Sequence, residues 1–455
     1  MSIEVVNPAT GRLVHTLPET PAGEIDGIVH HAERAFGAWR ETAFGERARL
    51  MHRAAGILRE RAGAYARLMA EEMGKPVREG RAEAEKCAWV CEYYAENAER
   101  FLADEPVETD ARASFVTFRP LGVVLAVMPW NFPFWQVFRF AAPGLMAGNA
   151  GLLKHASNVP GCALAIEEVF REAGFPEGLF RALLVGSERV EALIENPLVR
   201  AVTLTGSGPA GRAVAGAAGR NLKKTVLELG GSDPYLILAD ADLEAAIETC
   251  VKSRLINSGQ SCIAAKRFVV VEPVREAFER GFVERMERAI VGDPMDEATD
   301  VGPQARTDLR DDLQRQVEET IALGARLLLG GQVPDREGAW YPPTVLTDVK
   351  PGSPGYEEEL FGPVASIIPV ADQAEAIQVA NDTSFGLGAA VFTRDLERGR
   401  RIAAEEIEAG ACFVNGLVRS DPRLPFGGVK ESGYGRELSA FGIREFVNVK
   451  SVWVG

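Results

Sequence analysis

VRAVTLTGSGPAG, residues 199–211, decides the reading of the fold. Residues 199–204 form a short apolar run of strand type. Gly206-Ser207-Gly208 then turns the chain, and a helical stretch follows. Working outward, the same alternation recurs. Val123–Met128, residues 152–154 and residues 179–185 precede it as short apolar runs, and residues 225–227 follow, with helical stretches between. Buried strand alternating with helix is the pattern of a parallel, doubly wound sheet. A second alternating block follows Glu228 through residues 268–271, 325–329, Val364–Val370 and Ala411–Val414. Two α/β domains are therefore expected, meeting near Glu228-Leu229-Gly230-Gly231. Upstream, Thr20-Pro21 reads as a helix start, and Ile25, Ile28, Val29, Ala32, Phe36 and Trp39 recur at helical spacing. Residues 114–118 and Val447–Val454 look strand-like and fit neither block.

Composition narrows the function. A chain of 455 residues, 46% hydrophobic, is too long for one ordinary domain. A net charge of -15 argues against nucleic acid as a general partner. Met1-Ser2-Ile3-Glu4 has neither a basic n-region nor an apolar core, and the apolar run at 121–135 is broken by Pro129, Asn131 and Pro133. The expectation is a cytoplasmic protein with no membrane partner. Six cysteines scattered through such a chain make no disulfide framework. Cys87 and Cys91 share a helical face, but the five histidines do not cluster with them, so no metal site is expected and they read as packing residues.

Gly206-Ser207-Gly208-Pro209-Ala210-Gly211 is a literal G-x-G-x-x-G, which would ordinarily place the later acid, Glu228, on a ribose hydroxyl. Glu228 instead closes a strand and enters a Gly-Gly turn at the domain junction, a position better suited to a catalytic carboxylate. Two other segments give it partners. Cys262 follows the turn Gly259-Gln260-Ser261, where backbone can expose a thiol, and Asn131 stands in Pro129-Trp130-Asn131-Phe132-Pro133. Nucleophile, base and amide donor are the parts needed for covalent chemistry at a carbonyl.

In order and wording these segments, with Gln260-Ser261-Cys262-Ile263-Ala264-Ala265-Lys266-Arg267, resemble the aldehyde dehydrogenase superfamily, and the likeness runs over nearly the whole chain. The resemblance implies an α/β fold of two doubly wound domains plus a small β oligomerisation arm. Residues 1–107 and 123–227 would bind cofactor, 228–433 would carry catalysis, and 108–122 with 434–455 would form the arm of a homodimer or homotetramer. It further implies that Cys262 attacks an aldehyde, that Glu228 serves as general base, and that Asn131 with the Cys262 N–H binds the oxyanion. Cofactor contacts fall on Trp130, Lys154, Ser157, Gly206, Ser207, Leu229, Glu359 and Phe361. Lys154 would bond the adenosine ribose and Glu359 the nicotinamide ribose. Many NAD-preferring relatives have glutamate where this chain has Ser157. A hydroxyl leaves room for a 2′-phosphate beside the Lys154 charge, so NADP is expected as the preferred cofactor, with NAD usable.

Arg139, on the helix leaving the Asn131 turn, and Ser420, ahead of Pro425-Phe426-Gly427-Gly428, match residues that grip the far carboxylate in succinate-semialdehyde dehydrogenases. The stretch from Asn415-Gly416 to Leu424 resembles the bacterial and cyanobacterial branch of that group. Two departures stand out. Ile256 replaces a second substrate arginine, with Arg254 nearby, and Ala264 replaces a cysteine used elsewhere as a redox switch. The small aldehyde is thus expected to be succinate semialdehyde. A broad aliphatic or aromatic aldehyde dehydrogenase and a CoA-acylating enzyme remain as alternatives.

Overall fold

The structure, a computed structural model, describes residues 2–455. Its first large sheet has six strands in the order Gly433–Tyr434, Lys224–Glu228, Val199–Thr205, Val123–Met128, Ala150–His155, Phe180–Ala182. All pair in parallel except Gly433–Tyr434, which lies antiparallel to Lys224–Glu228. Ala150–His155 is buried at every position, as central strands covered on both faces must be. Strand order reverses between Val123–Met128 and Val199–Thr205. In an open α/β sheet that reversal leaves a crevice at the carboxyl ends of the strands, where ligands settle.

The second sheet has seven strands: Arg326–Leu329, Thr344–Thr347, Val364–Val370, Arg267–Val271, Pro234–Ile237, Gly388–Phe392, Ala411–Val414. Only the edge strand Arg326–Leu329 runs antiparallel. Three of these strands lay outside the sequence reading. Pro234–Ile237 and Thr344–Thr347 are four residues each, and Gly388–Phe392 opens on Gly-Ala-Ala, residues with little strand signal of their own.

A third, antiparallel sheet joins Val447–Val454 to Ala113–Pro120 and Glu105–Pro106. This trims the arm expected over 108–122 and 434–455. Gly433–Tyr434 belongs to the first sheet, and Leu438, Ile443 and Phe446 pack into the first domain's core before the chain departs. An N-terminal hairpin, Ser2–Val6 with Leu13–Pro18, completes the strands. Among the described residues, no helix is long and apolar enough to cross a membrane.

One helix controls the site. Trp135–Met146 is buried along its whole length. Its first N–H groups lack helical partners and need an acceptor. Glu83, on helix Val77–Phe101, supplies it: one carboxylate oxygen accepts from Phe134 N at 2.8 Å and Trp135 N at 2.9 Å. The other oxygen is ion-paired with buried Lys75. This carboxylate fixes where the Asn131 turn ends and the helix carrying Arg139 begins.

Candidate active site

Helix Leu243–Leu255 ends seven residues before the nucleophile, Cys262. Asn257, Ser258 and Gly259 then take φ of 52°, 56° and 78°, three left-handed residues in succession. Two of them carry side chains, and each such residue costs on the order of 1 kcal/mol, so the surroundings must hold them. They do. Asn257 N donates to Glu79 at 2.7 Å, Asn257 Nδ2 to the Asn131 carbonyl at 2.7 Å, and Gly302 N to Ser258 Oγ at 2.9 Å. At Gly259 a Cβ would stand 2.2 Å from the Gly362 backbone, so only glycine fits. The strain is spent on delivering Cys262 to the junction of the two domains.

Cys262 is half-buried, and Lys266 Nζ donates at 2.7 Å to both the Ser261 and Cys262 carbonyls. Burial pushes the thiol up to about 12, while the Arg139 and Lys266 charges pull the other way. At neutral pH the sulfur therefore holds its proton and needs a base. Glu228 ends strand Lys224–Glu228, is 2% exposed, and neither carboxylate oxygen has a hydrogen-bond partner among the described residues. Burial, then the neighbouring Glu437 carboxylate, raise it well above the usual range; Arg139 and Arg436 oppose them. Asn131 is buried and its Nδ2 donates to the Gln260 carbonyl at 3.1 Å, which uses one of its two hydrogens. Nucleophile loop and amide donor are thus tied directly.

A cavity of about 270 Å³ opens beside Cys262, walled by Phe132, Trp135 and Phe426, with Arg139, Lys86 and Ser420 contributing polar atoms. Arg139 reaches it already occupied. It is ion-paired with buried Glu437, and its guanidinium stands 4.6 Å from the Phe426 ring centre. Ser420 Oγ accepts from Lys86 Nζ at 2.8 Å and from Trp135 Nε1 at 3.0 Å. Ile256 joins the wall, whereas Arg254 is fully buried and donates to the Gly259 carbonyl at 2.6 Å, away from the cavity.

A second hollow, about 500 Å³, lies at the strand-order reversal, lined by Val127, Leu204, Lys154 and Ala213. Lys154 is buried and its ammonium is pushed below its ordinary value by desolvation, with only Glu188 acting to restore it. Ser207 caps helix Gly208–Arg220, accepting from Ala210 N at 3.5 Å, and Gly206 N donates to the Glu228 carbonyl at 3.0 Å. The glycine-rich turn is therefore bonded to the strand end that carries the base. Leu229 packs on the same helix, since a Cβ at Gly211 would meet its side chain at 2.6 Å. Ser157 is exposed in an adjoining hollow with Asn158 and Gly186. Both polar atoms of the Asn158 amide are buried and, among the described residues, have no hydrogen-bond partner. Nearer the nucleophile, Glu359 accepts from Gly231 N at 3.1 Å and lies 3.3 Å from Lys266 Nζ, while Trp130 and Phe361 meet edge-on with ring centres 5.7 Å apart.

Sequence reasoning missed Lys86, Glu437 as the partner of Arg139, and Lys266 beneath the nucleophile. Glu437 and Lys266 lay within quoted motifs, but nothing local in either string showed what they would touch. Lys86 sits in a helix rich in charged residues, and only the tertiary approach of Trp135 and Ser420 distinguishes it.

The model of the aldehyde dehydrogenase family matches residues 1–452. The chain is 52% identical, over the full length of both proteins, to a probable succinate-semialdehyde dehydrogenase [NADP(+)] of Synechocystis sp.. It is also 52% identical, again over both full lengths, to succinate-semialdehyde dehydrogenase [NADP(+)] 1 of Mycobacterium tuberculosis. A solved structure of succinic semialdehyde dehydrogenase from Streptococcus pyogenes in complex with NADP+ superposes with a TM-score of 0.97 at 38% identity, covering 99% of each chain.

Proposed function

The chain belongs to the aldehyde dehydrogenase family, and from that premise we propose that it oxidises succinate semialdehyde to succinate with NADP as hydride acceptor. The observation that carries the substrate is the cavity beside Cys262, which is small and apolar along its walls but holds cationic and hydroxyl groups. An uncharged aldehyde would leave the Lys86 ammonium on that wall without a counter-ion; an ω-carboxylate aldehyde supplies one.

The residues around the crevice fit a dinucleotide phosphate. Lys154 is a desolvated cation with little local compensation, and the Asn158 amide, next to the Ser157 hydroxyl, lacks partners among the described residues. Lys154 would hold the adenosine ribose, Ser157 the 2′-phosphate, and Glu359 the nicotinamide ribose, with Gly206, Ser207, Leu229, Trp130 and Phe361 lining the path between. When bound, NADP supplies an acceptor for hydride.

The chain's own groups perform the rest. Glu228 takes the Cys262 proton, directly or through water, and the thiolate adds to the aldehyde carbon. The resulting oxyanion is met by Asn131 Nδ2 and the Cys262 N–H. Such donors matter because charge develops there only on the reaction path, and removing one typically costs about 100-fold or more in turnover. The adduct carbon releases hydride and becomes a thioester on Cys262. Glu228 passes the thiol proton to solvent and, again a carboxylate, draws a proton from water. Hydroxide adds to the thioester carbon, the C–S bond breaks, and the Glu228 proton goes to the leaving thiolate, giving the acid, which ionises to carboxylate, and free thiol. A base that can serve water favours hydrolysis over acyl transfer to CoA, whose thiol needs less help.

The arm sheet would join subunits into a homo-oligomer. Its strand Val447–Val454 exposes Val449 and Trp453, each 61% open to solvent. The experiment that tests the function is absorbance at 340 nm with succinate semialdehyde and either NADP or NAD. Strong reduction of NADP and weak reduction of NAD is the expected result. Oxidation of uncharged aldehydes alone would remove the substrate assignment and leave the family chemistry.

A further inference from the structure

The carboxylates around the cavity beside Cys262 each have a partner already. Glu83 is shared between Lys75 and the N–H groups of Phe134 and Trp135. Glu79 accepts from Asn257 N, Asp421 is paired with Arg423 at 2.7 Å, and Glu437 is paired with Arg139. The cations are not balanced in the same way. Arg139 is ion-paired with Glu437, and Arg419 is exposed, where water solvates it. Lys86 is half-buried against the cavity, and among the described residues no carboxylate lies within 4.0 Å of its ammonium.

Among the described residues, Lys86 Nζ makes one hydrogen bond and one contact with an aromatic ring. It donates to Ser420 Oγ at 2.8 Å and lies 4.1 Å from the Trp135 ring centre, a cation–π contact. An ammonium has three hydrogens, and the serine uses one. Ser420 Oγ in turn accepts from both Lys86 Nζ and Trp135 Nε1. With both lone pairs occupied, the serine hydroxyl keeps its own hydrogen for a third group. An under-paired ammonium and a hydroxyl with a spare hydrogen thus stand side by side on the cavity wall.

We propose that Lys86, assisted by the Ser420 hydroxyl, anchors the far carboxylate of the aldehyde substrate, while Arg139, held by Glu437, shapes the wall between anchor and nucleophile. This deepens the reading of the substrate as an ω-carboxylate aldehyde and rests on it. A partly desolvated cation without a counter-ion is costly, so an anion that completes the pair is bound where a neutral group is not. The electrostatics agree: burial and the Arg139 charge push Lys86 down to about 8, against Cys87, Glu83 and Asp421. A bound carboxylate would reverse that push.

The test compares Lys86→Met, Arg139→Met and the unmodified enzyme, each with succinate semialdehyde and with butanal, an uncharged aldehyde of the same chain length. Methionine keeps an unbranched apolar stem and removes the charge. The expected result for Lys86→Met is a KM for succinate semialdehyde raised about 10- to 100-fold, the range for losing a hydrogen bond to a charged group, with kcat little changed and butanal unaffected. Ser420→Ala, which leaves the lysine in place, should raise the same KM several-fold and gives a second measure should the lysine variant fold poorly. An unchanged KM in Lys86→Met and Ser420→Ala, with a large rise in Arg139→Met, would overturn the anchor and leave the substrate standing. An unmodified enzyme that turns over butanal but not succinate semialdehyde would instead overturn the substrate reading, and the anchor with it.

Discussion

Glu228 and Cys262 face the same difficulty at the residue scale: Glu228 is buried and Cys262 half-buried, and desolvation favours the uncharged form of each. A carboxyl raised above its ordinary value keeps its proton as pH climbs past that value, and only above its raised pKa can it accept one. The thiol, near 12, contributes no thiolate of its own at neutral pH. Turnover should therefore rise with pH through a limb that lies above the ordinary carboxylate range. Glu228→Gln should flatten that limb and lower kcat by about 100-fold or more, as loss of a general base does. Rapid-mixing absorbance separates the two roles: a retained burst of reduced cofactor locates the loss in hydrolysis, and an absent burst locates it in thiol activation. The same substitution removes a group whose ionisation opposes folding. Because the folded pKa is raised, this destabilisation develops as pH rises from the unfolded value through the folded one. Glu228→Gln should accordingly melt higher than the unmodified enzyme at alkaline pH while turning over more slowly. Lys86 gives the opposite pH signature. With its ammonium near 8, the KM for a carboxylate aldehyde should climb above that pH, while the KM for butanal stays level. Cys262, Glu228 and Asn131 were legible as candidates because each stands in a distinctive string. Their electrostatics were not, because desolvation depends on what the fold stacks around them.

Among the elements, the segment between helix Leu243–Leu255 and Cys262 carries the sharpest constraint. Gly259 combines a φ of 78° with backbone of Gly362 at 2.2 Å from where a Cβ would sit. Gly259→Ala adds left-handed strain of about 1 kcal/mol to an overlap that the neighbouring backbone cannot relieve cheaply. The expected outcome is a drop in kcat of at least about 100-fold and a lowered melting temperature, read by assay and calorimetry. The sequence marked this turn but not its left-handed run, since Asn257 and Ser258 are permitted there by hydrogen bonds to Glu79, Asn131 and Gly302, all distant in sequence. The sheets divide the same way. Val123–Met128 and Val364–Val370 were readable from dense apolar runs, whereas Gly388–Phe392 is a strand because neighbours at Tyr235 and Ala411 pair with it. Tertiary context there overrides weak local preference.

For the whole molecule, the two domains followed from the alternation of strand and helix and the arm from the family resemblance, while the return of residues 433–446 to the first domain followed from neither. Gly433–Tyr434 becomes a strand only by adding to the edge at Lys224–Glu228. The arm leads to a prediction at this scale. Trp453→Asp on Val447–Val454 places charge where exposed apolar surface would meet a second subunit, and sedimentation velocity should show a smaller species than the unmodified enzyme.

The placement of Cys262 has a last consequence. Although it follows a helix of the second domain, Cys262 and Ile263 pack against the apolar core of the first, and Asn131 of the first domain is bonded to Gln260 of the loop. A free thiol trained on aldehydes is a hazard to the cell if it can wander. Here its reactivity is assembled jointly: should the halves loosen, the base Glu228, the amide donor Asn131 and the Arg139 charge would leave the sulfur together, and only Lys266 would stay with it. A damaged copy would therefore fall silent before it became indiscriminate, a fail-safe written into the seam between the domains.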